Sequence, residues 1–363
     1  MRVWIRVDAS VEIGSGHVMR CLTLAGELRK SGCQVQFICR EHVGHMRKLI
    51  NKCGYNAVML PGSVSTPGEA DVADKKMKHL GVSREFDAEV TAKVLANEPA
   101  DWVIVDHYSL DWKWHRYIKS YCNNLMVIDD LGDRDYECDL LLDQTYARTE
   151  SIYKDLVSPG CKILTGSDNA LLRSQFYNHR KEAQIRRKQQ AAVKRILVSM
   201  GGMDPDDVTS IVLEGLFKVD WRGTVDVDVV LGEYAPHLGK IETLRTNSNI
   251  RLNVITSADD MSGLMLKADL AIGSGGTSSW ERCCLGLPTL MVISADNQLD
   301  IVNNLSSEGI VKNLGWYYLL EPERLKESIE NLLGNPTELV AMSEKSFAVC
   351  DGLGVQRVVS ALS

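Results

Sequence analysis

Residues 1–21 read Met1-Arg-Val-Trp-Ile-Arg-Val-Asp8-Ala-Ser-Val-Glu-Ile-Gly14-Ser-Gly-His17-Val-Met-Arg20-Cys21, and the fold turns on this stretch. Residues 3–7 form a short, mostly apolar run with the β-branched residues of a strand. Residues 18–30 follow with apolar positions at helical spacing, and Gly32 stands where a helix C-cap belongs. A strand, a glycine-bearing turn and a helix together form the first part of a βαβ unit. Such sheets bind ligands at the carboxyl ends of their strands.

The alternation continues outward from there. Further strands are expected at residues 35–39, 57–60, 102–106, 125–128 and 140–142, with helices at 42–52, 85–97 and 112–121. A second series starts at 196–200 and continues with strands at 225–231, 250–254, 270–272 and 289–293. Helices near 207–216, 236–245 and 261–267, and from about 279 and 298, separate them. Residues 61–84 are rich in Gly, Pro, Ser and mixed charge, too long for a routine connection, and predict a mobile loop near a site. Residues 173–195 carry Arg173, Arg180, Lys181, Arg186, Arg187, Lys188, Lys194 and Arg195 with few large apolar residues, which predicts a solvated connecting helix. The expected architecture is α/β, with two doubly wound Rossmann-type domains facing a central cleft. Its parts are a first domain at 1–172, the connector at 173–195, a second domain at 196–335, and C-terminal helices at 336–363 packing back.

The length of 363 residues suits two domains. Hydrophobic residues at 45% and charged residues at 25% match a globular chain and exclude wholesale disorder. A net charge of −7 argues against nucleic acid as the main partner. No stretch approaches the ~20 apolar residues of a membrane span, so no membrane insertion is expected. Arg2, Arg6 and Asp8 interrupt the N-terminal apolar run where a signal peptide would be continuous, which predicts a cytoplasmic protein. Ten cysteines without a Cys-x-x-Cys pair fit buried thiols in a reducing compartment.

Three strand-to-helix connections offer chemistry. Gly14 and Gly16 allow a ligand close to backbone amides at a helix start. His17 stands at the same helix start, where the positive dipole end disfavours imidazolium and favours the neutral form a general base needs; an ordinary hydrogen-bonded histidine is the competing reading. Gly201-Gly202 opens the second series in the same manner. Gly273-Ser-Gly275-Gly276-Thr277-Ser-Ser-Trp-Glu281 can surround a diphosphate with amides and hydroxyls, and Glu281 can accept from ribose hydroxyls; a tight capped turn explains the same residues. Asp106-His107-Tyr108 and Asp129-Asp130 lie just past predicted strand ends, where carboxylates fix substrate hydroxyls or orient an imidazole. Asp133-x-Asp135 and Asp226-x-Asp228 read as solvated surface. His42-x-x-His45 lacks further ligands in register, and no metal or cofactor is expected.

Several strings together resemble one family: Gly14-Ser-Gly-His17-x-x-Arg20-Cys, Val105-Asp-His-Tyr108, Ile128-Asp-Asp-Leu-Gly-Asp-Arg134, Ala170-Leu-Leu-Arg173-x-x-Phe176, Val198-Ser-Met-Gly-Gly202-x-Asp-Pro205 and Gly275-Gly-Thr-x-x-Trp-Glu281. Their order and spacing are similar to those of the UDP-2,4-diacetamido-2,4,6-trideoxy-β-L-altropyranose hydrolases of pseudaminic acid biosynthesis, whose fold is that of the two-domain GT-B glycosyltransferases. The resemblance implies hydrolysis of a UDP-sugar to UDP and the free sugar, with inversion and without metal. It puts the catalytic base on His17 and the nucleotide-binding carboxylate on Glu281. Substrate-binding roles are expected for Gly14, Gly16, Arg20, Asp106, Tyr108, Asp129, Arg173, Gly201, Gly202, Gly275, Gly276, Thr277 and Glu281. The partner expected is the small-molecule UDP-sugar alone, bound by a monomer. The alternatives are a UDP-sugar glycosyltransferase of the same architecture, in which His17 deprotonates an acceptor hydroxyl, and a non-catalytic nucleotide-sugar-binding protein. A sugar-nucleotide 2-epimerase would need further acids and bases.

Overall fold

The computed structural model describes residues 1–62, 79–189, 192–244, 249–256 and 258–363. They fall into two units, Met1–Leu171 with Gly354–Ser363 and Leu172–Leu353. The first unit holds strands β1 (Arg2–Val7), β2 (Gln34–Arg40), β3 (Asn56–Leu60), β4 (Ala100–Asp106), β5 (Cys122–Ile128), β6 (Leu140–Asp143) and β7 (Lys162–Thr165). They form a seven-stranded sheet in the order β3-β2-β1-β4-β5-β6-β7, parallel throughout. Helices α1 (Gly16–Lys30), α2 (Arg47–Lys52), α3 (Arg84–Asn97), α4 (Trp112–Lys119) and, from the end of the sequence, α13 (Gly354–Leu362) accompany it.

Strand alternation explains the layering. Val3, Ile5 and Val7 share one core with Leu24 and Leu28 of α1 and with Val355 and Val358 of α13. Trp4 turns to the opposite face and packs with Leu95, Trp114 and Ile118 of α3 and α4. Arg6 follows Trp4 onto that face and is fully buried. Its guanidinium meets Asp8 at 2.6 Å and Asp87 at 2.7 Å, while Asp87 also takes Arg40 and the Trp114 indole N–H at 3.0 Å. The two arginines and two aspartates cancel in charge, and removing one would cost about 3–5 kcal/mol by stranding the others.

Some expectations shift. The helix expected from residue 42 starts only at Arg47, because Gly44 turns the chain with φ 86° and packs so tightly that a Cβ there would lie 3.0 Å from Val11. Of the expected loop at 61–84, residues 63–78 lie outside the described residues. β7 was not expected; it is a short edge strand with Lys162 exposed, so its apolar pattern is weak.

The second unit repeats the design with β8 (Arg195–Ser199), β9 (Val225–Leu231), β10 (Ile250–Thr256), β11 (Leu270–Ser274), β12 (Thr289–Ile293) and β13 (Lys312–Trp316). The six strands run in the order β10-β9-β8-β11-β12-β13, again parallel. Its helices are α5 (Ser174–Lys188), α6 (Val208–Lys218), α7 (Leu238–Glu242), α8 (Met261–Lys267), α9 (Ser278–Cys284), α10 (Leu299–Ser307), α11 (Pro322–Leu333) and α12 (Pro336–Val349). Ile196, Val198, Val227, Val229, Ile272 and Leu290 build one core with Leu213 and Leu216 of α6 and Leu325 and Ile329 of α11. β13 is another unexpected edge strand.

Helix α5 corrects the solvated-connector expectation. Phe176, Ala183 and Arg187 are buried, and Arg180, Arg186 and Arg187 bind the carbonyl ends of other helices, Arg186 reaching Lys267 at 2.7 Å. Arg187 donates to Met265 and Ala268 at 2.8 and 2.5 Å. Arg180 donates to Cys284, Phe347 and Cys350 at 2.7–2.8 Å. Cations at helix C-termini satisfy carbonyls that lack intrahelical partners. Residues 336–363, expected to return together, divide instead: α12 belongs to the second unit and α13 to the first. Asp226 and Asp228 are not free surface either, since Arg195 bridges them at 2.9 and 2.8 Å.

In each sheet the strand order reverses beside the first strand of the series, between β1 and β4 and between β8 and β11. Ligands of doubly wound sheets bind outside the strand ends at that switch point.

Candidate functional site

The loop after β1 is closed by Gly14, whose φ of 79° suits glycine and whose N–H donates to Ser10 at 2.9 Å. Gly16 then begins α1, and His17 and Arg20 lie one turn apart on the same side. Asp106, the last residue of β4, faces them. His17 Nδ1 lies 2.6 Å from Asp106 Oδ1. Arg20 grips the same carboxylate twice, with Nε at 2.6 Å from one oxygen and a terminal nitrogen at 2.6 Å from the other. Burial alone would raise the Asp106 pKa, but Arg20 and His17 hold it well below the usual carboxylate range. An ionised carboxylate only accepts, so Nδ1 carries the ring proton. Nε2 is left with its lone pair, the arrangement of an imidazole held for proton abstraction.

The surroundings extend this arrangement. Arg20 reaches Asp130 at 3.3 Å, and the Tyr108 hydroxyl donates to Asp130. The Tyr108 ring meets the imidazole edge-on, with centroids 4.7 Å apart and an interplanar angle of 82°. His17 lines a pocket together with Ile13, His79, His107, Tyr108 and Ser109. His107 accepts the Ser109 N–H on Nδ1 at 3.1 Å, so its own proton sits on Nε2, 3.3 Å from Asp8. Burial lowers the His107 pKa, against the pull of Asp8.

Three expected substrate contacts point inward. Asp106 and Arg20 are 1% and 4% exposed and spend their polar atoms on each other, His17 and Asp130. Asp129 accepts from the backbone of Leu131, the Tyr136 hydroxyl and Arg134 at 2.8, 2.8 and 3.1 Å, which makes it the organiser of its own loop. Among the described residues, no group of three or more His, Cys, Asp or Glu side chains could hold a metal ion.

The second unit's switch point is built of backbone. Gly201, with φ 105°, and Gly202 are exposed after β8, and Gly232 donates to the Gly202 carbonyl at 2.7 Å. After β11, the Gly275 N–H is already taken by Gln298 at 3.1 Å, which corrects its expected role as an anion donor. A Cβ on Gly275 would lie 2.5 Å from Val302, whereas one on Gly276 would meet nothing within 4 Å. Gly276 and Thr277 thus offer the approachable backbone. Glu281 follows within the first turn of α9, with Arg173 3.4 Å away. Burial raises the Glu281 pKa, and Arg173 opposes that rise.

The sequence reading missed Gln298, the Arg6–Asp8–Arg40–Asp87 network and the Tyr108–Asp130 contact. Arg6 inside an otherwise apolar strand was the available signal, since a buried cation requires partners.

Residues 195–357 match the model of the glycosyltransferase family 28 C-terminal domain. An uncharacterized protein of Methanocaldococcus jannaschii is 27% identical over 82% of the chain, an alignment that spans only 57% of that longer protein. The UDP-2,4-diacetamido-2,4,6-trideoxy-β-L-altropyranose hydrolase of Campylobacter jejuni is 24% identical over 85% of this chain and 97% of its own. The crystal structure of Acinetobacter baumannii MurG superposes with a TM-score of 0.69 at 16% identity, covering 99% of both chains. The fold is therefore α/β, with two Rossmann-like parallel-sheet domains of the GT-B type. No helix among the described residues is long and apolar enough to cross a membrane.

Proposed function

We propose that the chain hydrolyses UDP-2,4-diacetamido-2,4,6-trideoxy-β-L-altropyranose to UDP and the free sugar with inversion. The observation that carries this reading is the contact between His17 and Asp106: the carboxylate, 2.6 Å from Nδ1, accepts from that nitrogen, which leaves Nε2 as a base beside a pocket. The motif resemblance along the chain and the similarity to a hydrolase of that name support the substrate.

In this reading His17 Nε2 takes a proton from water as the water oxygen bonds to the anomeric carbon. The bond from that carbon to the diphosphate oxygen breaks, and its electron pair leaves with UDP. Asp106 stabilises the imidazolium formed, and charge on the sugar passes through an oxocarbenium-like state. A diphosphate leaves without needing a proton, so no second acid is required. The amides of Gly276 and Thr277 receive its charge. Gly201 and Gly202 line the nucleotide's approach, and Glu281, beside Arg173, accepts from the ribose hydroxyls. Gly14 and Gly16 leave room for the sugar beside His17, and Tyr108 walls the pocket.

The test is incubation with the UDP-linked sugar, without metal or acceptor, following UDP and the first-formed anomer by NMR. UDP release with the inverted anomer is expected. Release only when an acceptor alcohol is supplied would make the chain a transferase, the reading favoured by the family 28 match. Binding without turnover in either case would leave a nucleotide-sugar-binding protein.

A further inference from the structure

Around the His17 imidazole the contacts close on themselves. His17 meets Asp106, Asp106 meets Arg20, Arg20 meets Asp130, Asp130 meets Tyr108, and the Tyr108 ring returns edge-on to His17. The circuit ties together the start of α1, the end of β4 and the residues after β5, three places far apart in sequence. Asp130 is its least buried charged member, at 18% side-chain exposure against 3% for Arg20 and none for Asp106.

We propose that Asp130 and Tyr108 are positioning residues for His17: Tyr108 fixes the plane of the ring, and Asp130, acting through Arg20, sets the charge the ring experiences. This rests on reading His17 as the base. The groups around the imidazole are Arg20 on its own helix, Asp106, His107 and Tyr108 at the end of β4, Asp130 after β5, Asp8 after β1, and His79. Asp8 is already neutralised by Arg6 at 2.6 Å. Asp106, Arg20 and Asp130 are the charges wired to the ring, and together they sum to −1. With Asp130 made neutral the sum becomes zero, and the imidazolium loses part of its support. The Tyr108 hydroxyl carries no charge, so removing it alters orientation without altering that sum. An edge-on contact is geometrically selective, and the hydroxyl's bond to Asp130 anchors the Tyr108 ring in it, so that ring limits rotation of the imidazole only while the hydroxyl is held.

The experiment titrates the His17 ring by NMR in the ligand-free wild-type, Asp130→Asn and Tyr108→Phe proteins, with His17→Asn identifying the signal. The kcat/KM pH profile of each is recorded alongside. In Asp130→Asn the titration midpoint and the acid limb of the profile should both fall by about half a pH unit or more. In Tyr108→Phe both should stay, while kcat drops about tenfold and KM changes less than about twofold. Coincident titrations of wild type and Asp130→Asn would overturn the assignment of Asp130. An unchanged kcat in Tyr108→Phe would overturn that of Tyr108. If the wild type releases no UDP but the midpoint still moves, the circuit stands and the hydrolase reading falls.

Discussion

At the switch point of the first sheet, the connections after β1, β4 and β5 bring together Asp8, His17, Asp106, Tyr108 and Asp130. At that of the second sheet, the connections after β8 and β11 bring together Gly201, Gly202, Gly275, Gly276 and Thr277. The strand orders correspond, yet one end presents paired side-chain charges and the other presents main chain. A site made of charges depends on protonation and on every partner of each charge. A site made of backbone depends on shape, because an added methyl group changes what can approach.

Exchanging a side chain at the first end should therefore affect chemistry and leave nucleotide binding, whereas adding a Cβ at the second should do the reverse. The largest effect belongs to His17→Asn, which should lower kcat about 10³-fold while a calorimetric titration still shows UDP binding. Loss of that binding would erase the distinction between the two ends. Next comes Gly275→Ala, where the new Cβ would lie 2.5 Å from Val302. About 1–3 kcal/mol of stability should be lost, and UDP affinity should fall at least about tenfold as the loop shifts. Gly276→Ala has open space, so its melting temperature should match wild type and only UDP affinity should weaken. Equal unfolding curves for the two alanine variants would show that the loop is not shaped by Val302 and Gln298.

Acid gives a third contrast, smaller than the first two. His115 is buried in the first unit, neither ring nitrogen has a hydrogen-bond partner among the described residues, and burial with Arg134 nearby lowers its pKa from 6.5 to about 3. The unfolded chain takes up this proton below about pH 6.5 and the folded chain does not, so stability falls as pH falls. Between about pH 7 and pH 5 this histidine alone should remove about 2 kcal/mol. His115→Phe should flatten the pH dependence of the melting temperature over that range, and an unchanged slope would place the acid sensitivity elsewhere. The smallest effect is expected at the exposed Lys218–Glu323 pair. Lys218→Ala should change stability by less than about 0.5 kcal/mol in urea unfolding.

The fold was legible because strands buried on both faces are written as β-branched runs, and the helices between them carry a different period. β7 and β13 were not, since β7 has no fully buried residue and β13 buries only Leu314, so neither carries a continuous apolar run. The basic stretch in α5 misled for another reason: composition records charge, but not that Arg180 and Arg187 would find helix carbonyls. At the site, His17 and the glycines announce themselves by position next to a strand end. The direction of Asp106 could not be read, because a carboxylate at a strand end serves a substrate, a helix cap or an imidazole equally well in sequence. Asp129 was read as a substrate contact for the same reason and Arg20 because the family resemblance implies it, and the packing around them turned both inward.

Helix α13 belongs to the first unit, where Val355 and Val358 complete the core around Leu24 and Leu28. A ribosome delivers that helix only after every residue of the second unit. During synthesis the first sheet must wait with the apolar side of α1 uncovered, while the second can close as soon as α12 has emerged. The half that carries the candidate base is thus the last to become watertight, and a nascent chain stalled before residue 354 would expose an incompletely covered first core to chaperones and proteases.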